Sequence, residues 1–111
     1  VGKLSRNKGA EGEREVVRLA TGFAVRAERT AQLQANPNGS EKSDVRFLDY
    51  PHLHIEVKRD NTKSVDAMVR QAMKDKHPTE EAVVIWRRDR AAWRVDISPE
   101  LFFDLLIRAE A

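Results

Sequence analysis

The chain has 111 residues, enough for one domain with a modest core, and 20 basic against 18 acidic side chains leave a net charge of only +2. A sequence pI of about 9.2 is therefore a weak lean toward a polyanionic partner, and the charges are better read by position than by sum. The absence of cysteine excludes a disulfide scaffold, thiolate zinc sites and a cysteine nucleophile, and with no apolar run near ~18 residues and no apolar centre in "VGKLSRNKGAEGERE" a soluble protein without a membrane partner is expected.

Residues 1–9 read as a basic, mobile start carrying Lys3, Arg6 and Lys8. In "AEGEREVVRLA" the apolar residues Ala10, Val16, Val17 and Ala20 recur at helical spacing, which predicts a helix ending near Gly22. "FAVR" then reads as a short strand, and "ERTAQLQANPNGSEKSD" as a long connection of the kind that is usually functional or mobile. "DVRFLDY" and "HLHIEVKR" read as two strands of an antiparallel hairpin joined around Pro51, in the middle of a sheet.

From Ser64 to Lys76 the residues Val65, Met68, Val69, Ala72 and Met73 form the apolar face of an amphipathic helix, with Pro78 just beyond its end. "EAVVIW" suits a buried strand, and "AAWRVDI" can return beside it after the charged turn "RRDR". Ser98, Pro99 and Glu100 then supply an N-cap, a proline at the first helical position and an acid in the first turn. The closing helix carries Leu101, Phe102, Leu105, Leu106 and Ile107, more apolar surface than one seam needs, which points to a dimer contact to which Trp93 can add. The whole, residues 1–111, reads as a single α/β domain.

"LHIEVKRD" sets the chemical question. Alternation puts Leu53, Ile55 and Val57 toward a core and His54, Glu56 and Lys58 on the opposite face, and pairing with the preceding strand can bring Asp44 onto that same face. Two carboxylates and a lysine can hold a hard divalent cation through oxygen and place an ammonium near a nucleophile or a scissile phosphate. An acid and a lysine on the solvent side of a strand are also commonly an ordinary solvated stripe. Glu13 shifts the balance: its spacing from Ala10, Val17 and Ala20 sets it on or beside the apolar face of the first helix, where a carboxylate needs a partner. Either the cluster of Asp44, Glu56 and Lys58 or a salt bridge to an arginine such as Arg26 would serve.

"NKGAEGEREVVRLATGFAVR", "SDV" and "HIEVK" together resemble the archaeal-type (Hjc-like) Holliday junction resolvases of the PD-(D/E)XK nuclease superfamily, over most of the chain. "WRVDISP" is similar to the segment that leads to that family's last helix. The resemblance implies a restriction-endonuclease-like domain, a central mixed β-sheet flanked by helices, with Glu13, Asp44, Glu56 and Lys58 as catalytic residues. It implies Mg²⁺, with Mn²⁺ as substitute, held by Asp44, Glu56 and the carbonyl of Val57, with Glu13 joining through a bound water or a second metal. Lys58 would then orient or deprotonate the attacking water, or stabilise the charge of the phosphorane. The link from Arg26 to Asp44 is longer than in the family pattern, and Ser43 stands where the superfamily's name has proline; Ser40 and Ser43 are the candidates for a loop serine near the site.

The function implied is a structure-selective, metal-dependent endodeoxyribonuclease of recombination and repair, a homodimer that resolves four-way junctions by paired nicks leaving 5′-phosphates. It would act on intracellular DNA in the cytoplasm, as a cellular or viral product, with no small-molecule cofactor. Arg14 and Arg26 are candidate phosphate contacts by the same resemblance, and Lys3, Arg6, Lys8, Arg29, Lys42, Arg59 and Lys63 lie in segments flanking the proposed site. Competing with this are a zinc site of His52, His54 and Glu56, a DNA- or RNA-binding module without catalysis, and another nuclease of the superfamily acting on ends, flaps or single strands.

Overall fold

The computed structural model describes residues 3–30 and 44–110, with side chains described from Gly9 onward. The candidates Ser40, Lys42 and Ser43, and the side chains of Lys3, Arg6 and Lys8, lie outside the described residues.

Eight elements follow one another: α1 (Lys3–Gly22), β1 (Ala27–Arg29), β2 (Val45–Phe47), β3 (Leu53–Arg59), α2 (Val65–Asp75), β4 (Glu81–Arg87), β5 (Arg94–Asp96) and α3 (Pro99–Ala109). The strands form one mixed sheet in the order β1-β2-β3-β4-β5, with β3 and β4 parallel and every other pair antiparallel. The parallel pair demands a crossover, and α2 is that crossover.

The helix termini follow the chemistry of their caps. Ser64 Oγ accepts the Ala67 N–H at 3.1 Å to open α2, and Ser98 Oγ accepts the Leu101 N–H at 3.1 Å to open α3, with Pro99 in its first turn. The backbone of α1 is helical from Lys3, so residues 3–9, expected ahead of the helix, are part of it; lysine, leucine and arginine are good helix formers and a lone glycine costs only about 1 kcal/mol.

"FAVR" is not a strand. After Gly22 the Ala24 N–H bonds to Thr21 O at 2.9 Å and the Val25 N–H to Ala20 O at 2.9 Å, while Ala24 sits at φ 62. This paired reversal is a Schellman cap, and it occupies the residues that would otherwise have started β1.

Helices cover both faces of the sheet. On one, Val45, Ile55, Val57, Val83 and Ile85 pack with Val16 of α1 and Leu101 of α3, joined at the margin by Trp93 and Leu105. On the other, Val84 packs with Met68 and Ala72 of α2. The face that carries Glu56 is therefore not a solvated stripe: α2 lies over it, His54 is fully buried and Glu56 is 4% exposed. Met73, expected on the buried face of α2, is exposed. None of the described helices is long and apolar enough to cross a membrane.

Candidate active site

β2 and β3 pair with Val45 opposite Ile55, so the residue before Val45 and the residue after Ile55, Asp44 and Glu56, stand side by side on the α2 face. Asp44 immediately precedes β2. Its backbone N–H bonds to Ile55 O at 2.9 Å, and its Oδ2 accepts the Val57 N–H at 2.9 Å, taking the place of a ladder carbonyl. The N–H and C=O of a strand residue point to the same edge, so the Val57 carbonyl faces the side on which Asp44 sits.

Glu56 is held from the other direction. His54 Nε2 lies 2.7 Å from Glu56 Oε1, and His54 Nδ1 lies 3.8 Å from Glu80 Oε1. Lys58 follows two places along the strand on the same face, half-buried, and its positive charge reaches Glu56. Glu13 comes to the cluster from α1: it is 2% exposed, its Oε1 accepts from Arg29 Nε at 3.0 Å, and its charge is felt by Asp44.

The electrostatics divide the two central carboxyls. Burial, then the neighbouring Glu56 charge, push Asp44 up to about 7 against the opposing Val57 N–H, and Glu13 pushes it further the same way. Burial also works against ionised Glu56, but the hydrogen bond and charge of His54, with help from Asp44 and Lys58, outweigh it and hold Glu56 below the usual carboxylate range. For His54 burial favours the neutral ring, yet the bond and charge of Glu56, with Glu80 and Asp75 behind, raise it above the ordinary imidazole value. Without a cation, Asp44 thus gives up its proton only at about pH 7, well above the usual carboxylate range, whereas Glu56 ionises below that range.

That crowding is what a hard cation would relieve. One oxygen of Asp44, one of Glu56 and the Val57 carbonyl would together offer the oxygen donors that Mg²⁺ prefers, with waters to complete its shell. Among the described residues no group of three carboxylate or imidazole side chains is close enough to share an ion. The His52, His54 and Glu56 series therefore does not assemble as a zinc site, for His54 spends Nε2 on Glu56.

The structure brings Glu13, Asp44, Glu56 and Lys58 to one place. The basic candidates divide: Arg29 sits at that place on Glu13, whereas Arg26 pairs with Asp49 at 2.5 Å on the surface, so the alternative bridge from Glu13 to Arg26 gives way to one with Arg29. Arg59 is tied to Glu15 at 3.0 Å and Asp89 at 3.2 Å, and Lys63 Nζ reaches Gln71 at 3.3 Å; Arg14 is exposed on α1.

Two features were not read from the sequence. Glu15, off the apolar face by periodicity, ties α1 to the sheet by accepting from Arg59 and also from Arg87 at 2.9 Å, and Arg87 lies over the Trp93 ring at 5.3 Å. Its partners stand 44 and 72 residues away, so no local spacing reveals them. The bond between His54 and Glu56 did have a signal, since both belong to one alternating face of β3.

No protein-family model and no curated protein sequence matches this chain. Among solved structures it is similar to Archaeoglobus fulgidus Hjc, a Holliday junction resolvase from an archaeal hyperthermophile, with a TM-score of 0.53 and 24% identity over 80% of this chain and 76% of that one. The two share a fold. The mixed sheet with helices on both sides is the restriction-endonuclease-like architecture that the sequence resemblance implied.

Proposed function

We propose that this protein is a metal-dependent endodeoxyribonuclease that resolves four-way DNA junctions by paired nicks leaving 5′-phosphates. The observation that carries the proposal is the meeting of Asp44 and Glu56 beside the Val57 carbonyl, with Lys58 on the same face and buried Glu13 arriving from α1. The fold shared with a junction resolvase supports the choice of substrate.

Mg²⁺ or Mn²⁺ held by Asp44, Glu56 and the Val57 carbonyl would supply Lewis-acid polarisation of the phosphodiester. Asp44 is steadied by the Val57 N–H, so its second oxygen has a fixed direction. Glu56, kept ionised by His54, offers charge at neutral pH. Lys58, next along the face, orients or deprotonates the attacking water or neutralises charge that builds on the phosphorane. Glu13 and Arg29 close the site on the α1 side, where the Arg29 side chain is one-third exposed and able to meet a phosphate.

A junction presents two equivalent strands, and one site reaches one of them, so paired nicks call for a two-fold dimer. Phe102, Phe103, Leu106 and Ile107 of α3 are exposed and supply an apolar patch for it. Leu101, Leu105 and Trp93 instead pack on the domain's own core, so the patch is smaller than the sequence suggested and differently composed.

The test is cleavage of a four-way junction, a flap, a duplex and a single strand of one sequence in Mg²⁺. Wild type should cut the junction preferentially, and Glu56→Gln or Asp44→Asn should lose cleavage while retaining junction binding within about tenfold. Undiminished cutting by either variant refutes the site, and preference for flap or duplex assigns the fold to a different nuclease.

A further inference from the structure

The proposed catalytic set leaves one buried polar group without a task. His54 is fully buried on the α2 face of β3, where a polar ring is costly unless both of its nitrogens are used. Its Nε2 is bound to Glu56 Oε1 at 2.7 Å. Its Nδ1 has no hydrogen-bond partner among the described residues, and lies 3.8 Å from Glu80 Oε1, within ion-pair reach. Glu80 is itself anchored, since the same Oε1 accepts the His77 N–H at 2.7 Å in the turn that leads into β4.

We infer that His54, backed by Glu80, is a positioning residue that captures one oxygen of Glu56 and so makes it a single-oxygen ligand for the cation. The inference rests on the nuclease proposal and deepens it by naming what sets metal selectivity. A glutamate on a strand has three side-chain torsions, and a metal ligand that must be frozen on binding binds more weakly than one already held. With Oε1 engaged, Glu56 can offer only its other oxygen. Mg²⁺ and Mn²⁺ accept single-oxygen carboxylates in near-octahedral geometry, whereas Ca²⁺ readily takes a carboxylate through both oxygens. The hydrogen bond therefore favours the smaller ions on geometry alone, and the buried ring cannot swing away to release the second oxygen. Partners of this kind, one layer outside a metal, typically change its affinity about 10- to 100-fold when removed.

The test is calorimetric titration of the full chain with Mn²⁺ and with Ca²⁺, alongside thermal unfolding followed by circular dichroism. His54→Phe keeps a ring but no donor, and should weaken Mn²⁺ binding by about tenfold or more while narrowing the preference for Mn²⁺ over Ca²⁺. His54→Gln, whose amide nitrogen falls near the position of Nε2, should restore most of both. Should the larger Phe ring unfold the domain, His54→Asn takes its place, because its shorter amide mimics Nδ1 and leaves Glu56 Oε1 free. A folded Phe or Asn variant with wild-type Mn²⁺ affinity and wild-type Mn²⁺ to Ca²⁺ ratio overturns the positioning role and leaves the nuclease reading intact. A wild type that binds no Mn²⁺ overturns both.

Discussion

The two sides of β3 are equally dry and differently built. Ile55 and Val57 face α1 and α3 among aliphatic side chains, while His54 and Glu56, one residue out of step, face α2 beside Val84 and are just as buried. On the first side each apolar group contributes through burial, about 1.5–3 kcal/mol for a side chain such as Ile55. On the second side the charges mostly repay their own desolvation, so little net stability comes from them. The lesson is that burial marks two different tasks on one strand: the aliphatic side holds the fold, and the polar side holds two carboxyls in defined places.

The sharpest way to break this comparison is to truncate neighbours on opposite sides. Ile55→Ala should cost about 2–5 kcal/mol, because the loss of two buried methyls and a methylene leaves a cavity, and should leave the acids of the site in place. Glu56→Gln should change stability by no more than about 1 kcal/mol, since loss of the His54 ion pair is offset by relief of the repulsion on Asp44. Urea unfolding of both variants without divalent ions checks this. A Glu56→Gln cost as large as that of Ile55→Ala would make the polar side a structural core as well.

A second test reads the polar side by pH. Asp44 is pushed from 3.8 up to about 7, so between about pH 4 and pH 7 the folded chain holds a proton that the unfolded chain has released. Stability contributed by protonated Asp44 is therefore present at the low end of that window and lost as pH rises through about 7, with a ceiling of about 4 kcal/mol. His54, raised above its ordinary 6.5, adds a loss of the same sign at the upper end, and Glu56, lowered from 4.5, acts in the opposite sense only at the low end of the window and below it. Metal-free wild type should be less stable to urea at pH 8 than at pH 5, Asp44→Asn should show a much flatter profile, and Mg²⁺ should restore wild type at pH 8 by binding the ionised form. A wild-type profile as flat as that of Asp44→Asn would remove the crowded carboxyls from the description.

Much of this organisation is legible in the sequence, and the rest fails for identifiable reasons. The α2 face, the Ser64 and Ser98 caps and the pairing of Asp44 with Glu56 follow from local periodicity and cap chemistry, which act over a few residues. Alternation along β3 separated His54 and Glu56 from Ile55 correctly, but it cannot say whether a helix covers the second face, and α2 does. The extent of the α3 patch is not legible because its apolar residues surround the helix: Leu101 and Leu105 turn inward, Phe102, Phe103 and Ile107 outward. The start of β1 is hidden because Ala24, rather than a glycine, adopts the left-handed conformation of the cap.

Glu13 is the point where the two sides meet, since it is carried on α1 and acts on Asp44. Glu13→Gln keeps an acceptor for Arg29 while removing the charge that helps to raise Asp44. The variant should lose junction cleavage, remain folded, and show a smaller stability difference between pH 5 and pH 8 than wild type. Retained cleavage with lower stability would make Glu13 a structural partner of Arg29 only.

The smallest effect is expected on the aliphatic side, at Gly12. This glycine is buried inside α1, and a Cβ placed there would meet Arg59 Cβ at 3.4 Å, Trp93 Cη2 at 3.6 Å and Val57 Cγ1 at 3.7 Å, all ordinary contact distances. Glycine within a helix is less favourable than alanine by about 0.5–1 kcal/mol, because the unfolded chain loses more freedom on folding. Gly12→Ala should therefore stabilise the domain by up to about 1 kcal/mol, read as a higher urea midpoint, and should leave cleavage untouched. The nearest of those contacts is at the edge of what packs without movement, and it involves backbone-proximal atoms of β3 beside the site. If α1 had to shift to admit the methyl group, Glu13 would move with it, and Gly12→Ala would lose cleavage without losing stability. That outcome would show that the aliphatic side fixes the geometry of the polar one, and the two faces of β3 would have to be treated as a single mechanical unit.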